Sequence, residues 1–427
     1  MADAPDSISV TQFILGEEYG RFPVKKSRPP QICGVTGFSY SASQVRDRVE
    51  HLARAMARDL GCSSREGKDE ERVVAIFSLN SIDYQTLSWA VHRMDGVVTP
   101  ANALYSVSEL TYQLKHSGAK CPFASAPQLE TALQAASKPG ISRKRVYLLE
   151  LPVEITGKVA VPSDIKTLNQ LIQDGSAMVE LEPQNWSKGQ GKRQVAYLCY
   201  SSGTSGLPKG VMISHYNIIF NTLQLDAVEK LLRQGQSLHQ TETILGLLPQ
   251  ICHAAAYRGD AVITFPRYSL QQLLSSVQRW KINVLVLVPP IIIEMCNNSS
   301  LLAKYDLRSV TRLVTGGAPL REENAKALSQ DQPAWKISIT ETTGVVSYTG
   351  ADDIWNGSCG PLLPYTEARL VTPEGLDVSS HDRLGELWLR SPSIAMGYKN
   401  NPAETSKTFG DDGWMRTGDE AIVKRSP

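Results

Sequence analysis

Residues 200–210 read Tyr-Ser-Ser-Gly-Thr-Ser-Gly-Leu-Pro-Lys-Gly, a run of hydroxyls, small mobile residues and one lysine set between two apolar segments. Gly203 and Gly206 let successive backbone N–H groups turn inward as an anion nest, and Ser201, Ser202, Thr204 and Ser205 add neutral donors. Lys209 adds a point charge on a flexible stem, able to follow a departing phosphate. Together these groups make a grip on phosphate. A Walker-type loop is excluded, because Pro208 precedes the lysine, Gly210 follows it, and 211–213 read as a strand rather than the opening of a helix. A solvated linker, the bland alternative, has no reason to carry Leu-Pro-Lys-Gly inside a polar tract.

Three other places carry weaker signals. Thr340 and Glu341 set a hydroxyl beside a carboxylate suited to a hard, oxygen-seeking cation, although the same pair also suits a helix cap with an exposed acid. Asp419 follows Gly418, where a carboxylate can accept from both hydroxyls of a vicinal diol, yet Thr-Gly-Asp alone is equally a turn. Gly316, Gly317 and Ala318 leave an apolar run with almost no side chain, so a flat ring could lie against the backbone there, as could a plain tight turn.

These groups need a rigid frame. Residues 72–77 read as a buried strand, 83–94 as a helix and 96–100 as the next strand, a βαβ pattern that favours a parallel sheet with helices on both faces. The alternation returns as a helix over 269–280, a strand over 284–288 ended by Pro289 and Pro290, and a strand over 310–315. Residues 182–193 read as an exposed connection. From about 357 onward, short strands and turns such as 368–371 and 385–390 suggest a small β-rich unit. The expected layout is α/β, with units over 1–182, 183–356 and 357–427.

A chain of 427 residues exceeds one hydrophobic core, and 42% hydrophobic with 20% charged residues is ordinary globular composition. The net charge of +1 provides no field for nucleic acid or an anionic membrane surface, so binding is expected to be local. The seven cysteines show no Cys-x-x-Cys spacing, which points to free thiols in a reducing, cytoplasmic setting. No apolar run approaches the ~20 residues of a membrane span. Nothing in the residues sets an oligomeric state.

The loop over 200–210 resembles the signature loop of the acyl-adenylate-forming superfamily, and the likeness extends to the segments around 72–81, 99–105, 117–120, 340–344 and 414–419. Leu-Pro-Lys-Gly-Val-Met-Ile-Ser-His and Lys-Tyr-Asp-Leu-Arg-Ser-Val look most like the 4-coumarate and acyl-CoA ligases. The resemblance implies two packed α/β subdomains with mostly parallel sheets plus a distorted β-barrel. It also implies ATP, Mg2+ and coenzyme A as cofactors and a small carboxylic acid as substrate. By the same resemblance Ser201, Ser202, Gly203, Thr204, Ser205, Gly206 and Lys209 hold the phosphates and Thr340 the α-phosphate. Glu341 takes Mg2+ and Asp419 the ribose. Gly316, Gly317 and Ala318 wall the adenine, and Val288, Gly316, Gly344 and Val345 line the acyl pocket.

The likeness also marks departures. After 247–250 the family has a His-aromatic-x-Gly stretch, whereas this chain runs straight into 251–259, so His253 is assigned no catalytic role. An aromatic-Gly turn expected before Thr340 is replaced by Trp335 to Ile339, and residues are expected to be missing near 250 and 337. The resemblance implies a small C-terminal domain that 1–427 does not contain, so 1–427 is expected to be the large N-terminal domain, catalysing poorly alone. An adenylation domain feeding a carrier protein and a catalytically silent acyl-adenylate-binding module stay open, as does a peroxisomal location set by a signal outside 1–427.

Overall fold

The computed structural model describes residues 4–62, 72–157, 159–201, 207–232, 242–245, 249–316, 322–332, 335–340, 346–347, 360–378 and 380–424. One sheet has seven strands in the order β15 (Gly397–Tyr398), β7 (Lys209–Ser214), β6 (Val195–Ser201), β3 (Val97–Ala101), β2 (Val73–Phe77), β4 (Cys121–Ala124) and β5 (Tyr147–Leu148). Its centre is parallel, and β6, β7 and β15 pair antiparallel at one side. A second sheet runs β1 (Gln31–Cys33), β9 (Ala261–Thr264), β8 (Thr243–Leu245), β10 (Val284–Leu287), β11 (Arg312–Gly316) and β12 (Lys336–Thr340), parallel throughout.

Local signals set these elements. The five apolar residues of β2 are all buried, as expected for a strand covered on both faces. The helix Ala42–Leu60 opens on a capping box of Ser41 and Gln44 and closes on Gly61 in the left-handed conformation. Pro289 and Pro290, expected only to end a strand, occupy the first turn of the helix Pro289–Cys296, where their missing N–H groups cost nothing.

Membership of the sheets crosses the expected division at 182. β6 and β7, which bracket the loop expected to grip phosphate, extend the first sheet, while β1 near the N-terminus edges the second. Nor are residues 182–193 simply an exposed connection. Gln184 is buried, accepts from Ser9 Oγ at 2.7 Å and donates to the His92 carbonyl at 2.8 Å. The expected barrel is, among the described residues, an open antiparallel sheet of β13 (Glu367–Val371), β14 (Leu384–Arg390) and β16 (Met415–Ile422). Three strands are too few to close, and β15 is claimed by β7 of the first sheet. The helix His215–Leu232 holds this unit: Asn217 Nδ2 donates to the carbonyls of Pro392 and Ile394, both at 2.8 Å, and Gln224 Nε2 to that of Pro364 at 2.7 Å.

The short helix Val10–Leu15 is buried along nearly its whole length, and Phe13 stacks on Tyr257 with centroids 4.8 Å apart. Three histidines are buried in the core, one of them against this helix. His92 and His215 meet at 4.9 Å between ring centroids, and the His215 ring accepts from the Val10 N–H at 3.0 Å. His253 lies between Trp89 Nε1 at 3.1 Å and the Tyr197 hydroxyl at 3.0 Å. Burial lowers all three, His92 to about 4, His253 to about 3 and His215 well below its ordinary value; charge repulsion from His92 adds to the lowering at His253, and from His92 and His253 at His215.

These shifts dictate an acid sensitivity. Above pH ~6.5 both folded and unfolded imidazoles are neutral. Below it the unfolded chain takes up protons that the native core refuses, so stability falls as pH drops from ~6.5 toward the folded values, by up to about 1.4 kcal/mol per pH unit for each histidine. Urea midpoints are expected to fall steeply between pH 6.5 and 5 and to vary little between 7 and 8. A midpoint that holds level down to pH 5 would contradict this.

Candidate active site

Three strand ends converge on one edge of the second sheet. Gly316 at the end of β11 pairs in register with Thr340 at the end of β12. Leu287 of β10 stands opposite Thr315, which brings Val288, the next residue and 39% exposed, beside Gly316. The carboxyl edge of a parallel sheet is where such folds bind ligands. Sequence reasoning thus named Val288, Gly316 and Thr340 separately, and the register brings them together. Ser202, Gly203, Thr204, Ser205, Gly206, Gly317, Ala318, Glu341, Gly344 and Val345 lie outside the described residues, as does the side chain of Thr340.

The loop expected to grip phosphate joins the two strands of a hairpin. β6 and β7 pair antiparallel with Ser201 opposite Lys209, so both feet of the loop are held by the ladder. The exit is pinned from the side by Tyr112, whose hydroxyl donates to the Pro208 carbonyl at 2.9 Å, and Tyr200 reaches His116 Nδ1 at 2.7 Å. A cavity of about 230 Å3 lies here, walled in part by Tyr105, Tyr112, Tyr200 and Leu207. Ser201 is exposed and Lys209 part-exposed, so a ligand can reach both.

Asp419 sits in a bulge of β16. Glu386 pairs with Glu420 and Trp388 with Arg416, so three residues of β16 face Leu387 alone. Gly418 takes the extra turn at φ +77°, a conformation that an L side chain resists. Thr417 ties the bulge down: its hydroxyl donates to the Leu387 carbonyl at 2.7 Å and accepts from the Asp419 N–H at 3.1 Å. The Asp419 carboxylate is left exposed, the kind of re-aiming that bulges provide beside binding sites.

Two partners of Lys209 escaped the sequence reading. Its ammonium is hydrogen-bonded to Glu404 of the helix Pro402–Thr408 and lies 5.1 Å from the centre of the Tyr398 ring. The paired lysines Lys209 and Lys407 lower the Glu404 carboxyl to about 2, and Glu404 raises Lys209. Asn401 followed by Pro402 does mark a helix start, but nothing local says what its acid touches. His253, by contrast, is wholly taken up in the core.

Each place carries groups suited to one part of a nucleotide: an ammonium on a hydroxyl-bearing hairpin, an exposed carboxylate able to meet a diol, and open strand ends against which a flat ring could lie. Among the described residues no group of three or more His, Cys, Asp or Glu could hold a metal, and no helix is long and apolar enough to cross a membrane.

Known proteins share this fold. The sequence model of the AMP-binding enzyme family matches residues 24–399. An acyl-CoA ligase of Emericella nidulans is 37% identical over 436 residues, spanning 100% of this chain and 76% of that protein. An acyl-CoA ligase of Cordyceps militaris is 37% identical over 450 residues, spanning 99% and 69%. The solved structure of a long-chain-fatty-acid-CoA ligase from Archaeoglobus fulgidus has a TM-score of 0.80 at 21% identity, over 99% of this chain and 83% of that one, and so shares its fold. A family match across most of the chain, with relatives this similar along its length, means that the chain belongs to the AMP-binding enzymes, the adenylate-forming ligases.

Proposed function

We propose that this chain is an acid–thiol ligase that activates a small carboxylic acid with ATP and transfers the acyl group to coenzyme A. The observation that carries the reading is the phosphate-loop hairpin, which holds Lys209 on a rigid ladder in a chain closely related to acyl-CoA ligases. In the first half-reaction a carboxylate oxygen bonds to the α-phosphorus of ATP and the bond to the β-phosphate oxygen breaks, giving acyl-AMP and pyrophosphate. In the second the thiol sulfur bonds to the acyl carbon, AMP departs, and the thiol proton is released.

Each residue has a part in this reading. Ser201, Ser202, Gly203, Thr204, Ser205 and Gly206 cradle the β- and γ-phosphates, and Lys209 stabilises the charge that grows on pyrophosphate. Thr340 holds the α-phosphate and Asp419 the ribose, while Gly316, Gly317 and Ala318 lie against the adenine. Val288, Gly316, Gly344 and Val345 border the acid. Glu341 would hold Mg2+, which supplies charge neutralisation of the triphosphate. A reducing, cytoplasmic setting belongs to the same reading, supported by the buried free thiols of Cys33, Cys121 and Cys252.

The test is ATP–pyrophosphate exchange by the full-length gene product and by residues 1–427 in parallel, across hydroxycinnamates and fatty acids of graded length. Exchange that depends on one class of acid is the expected result and names the substrate. No exchange with any acid, together with calorimetric binding of an acyl-AMP analogue, would make the chain a binding module instead.

A further inference from the structure

The phosphate-loop lysine is not waiting in solvent. Lys209 is joined to Glu404, and the other oxygen of that carboxylate accepts from Lys407 Nζ at 2.7 Å, so one acid bridges two ammonium groups. The position of Glu404 relative to β7 is built in. β15 pairs with β7, placing Tyr398 opposite Val211, and the Lys399 N–H donates to the Gly210 carbonyl at 2.8 Å. The helix Pro402–Thr408 is fastened to β15 through Thr405 Oγ1, which accepts from the Tyr398 N–H at 2.9 Å. Asn401 caps the helix by accepting from the Glu404 N–H at 3.1 Å. Gly397, at φ +132°, gives the helix its close approach, since a Cβ there would lie 2.5 Å from Thr405 Cγ2.

We infer that Glu404 is a positioning residue for Lys209: it parks the phosphate-loop ammonium on this helix until a polyphosphate takes it over, and Lys407 then neutralises the carboxylate left behind. The inference rests on the adenylation reading above. A part-exposed carboxylate holds an ammonium only weakly, so a triphosphate with several charges displaces it readily. The three side chains carry one net positive charge, and the face met by an incoming anion stays attractive throughout. Once Lys209 has left, a Glu404 without Lys407 would stand as a bare anion beside the phosphates. In this arrangement the acid limits how tightly Lys209 grips ATP before reaction and so preserves its gain for the departing pyrophosphate.

The test compares wild type, Glu404→Gln, Glu404→Asp and Lys407→Met by ATP calorimetry and by exchange kinetics. Glu404→Gln is expected to bind ATP about 3–10-fold more tightly and to lose a similar factor in kcat, leaving kcat/KM nearly unchanged. Lys407→Met, at a side chain 72% exposed, is expected to weaken ATP binding about 3–10-fold, the opposite sign from a neighbouring residue. Glu404→Asp restores wild-type behaviour in part, and all the differences shrink at about 0.5 M salt. Wild-type ATP affinity in both Glu404→Gln and Lys407→Met overturns the inference. A wild-type chain that neither binds ATP nor exchanges pyrophosphate overturns the adenylation reading itself.

Discussion

Replacing Lys209 with alanine lowers ATP–pyrophosphate exchange by about 10²–10³, the loss typical of removing one preorganised charge from a developing transition state. The fold is expected to survive, because the Lys209 side chain is part-exposed and β7 is held by its neighbours β6 and β15. Binding of ATP should weaken far less than turnover, since the ammonium acts mainly as charge builds on the leaving pyrophosphate. Lys209→Arg should recover only part of the rate, because a planar fork cannot replace a compact point charge. The checking measurement is exchange at saturating acid, beside a melting curve. A fall below tenfold in a folded variant would remove Lys209 from the reacting phosphates.

The largest effect on stability is expected at the base of β11. Arg312 is buried and reaches Glu229 Oε2 and Glu242 Oε2, each at 2.7 Å, while Arg258 and Asp260 pair beside them at 2.9 Å. Arg258 is held above its ordinary value by Asp260, Glu229 and Glu242 acting against its burial, so the whole group is electrostatically linked. Arg312→Met removes a cation that lies 2.7 Å from each of two buried carboxylates and is expected to cost about 3–5 kcal/mol. Changing Glu229 and Glu242 to glutamine in the same chain removes the excess negative charge and should restore much of that loss. Urea unfolding of the single and triple variants checks both. A single variant as stable as wild type would show that the pairs contribute nothing net. The effect should also reach the site, because Arg312 begins the strand that ends at Gly316.

Much of the chemistry was legible because it is written in contiguous residues. The hydroxyl-glycine-lysine run over 200–210 needs no tertiary partner to be read as a phosphate grip, and Gly418 before Asp419 already carried its turn. The βαβ alternation was equally plain, because strands covered on both faces must be apolar throughout, as β2 is. The division into sheets was not. Each strand of a parallel sheet reads alike, and no local pattern says that β1 edges the second sheet or that β15 joins the first.

By itself, then, the sequence determined the type of chemistry and the class of frame, since both depend on residue types at short spacing and on hydrophobic period. Tertiary structure alone decided which distant groups meet. Gly316 meets Thr340 through strand register, and Lys209 meets Glu404 across 195 positions of chain. The buried histidines tell the same story, because nothing near His92, His215 or His253 in sequence marks them as core residues held neutral. Their burial, like the ion cluster at Arg312, follows from packing between distant segments, and long-range packing leaves no periodic trace in the residues that take part.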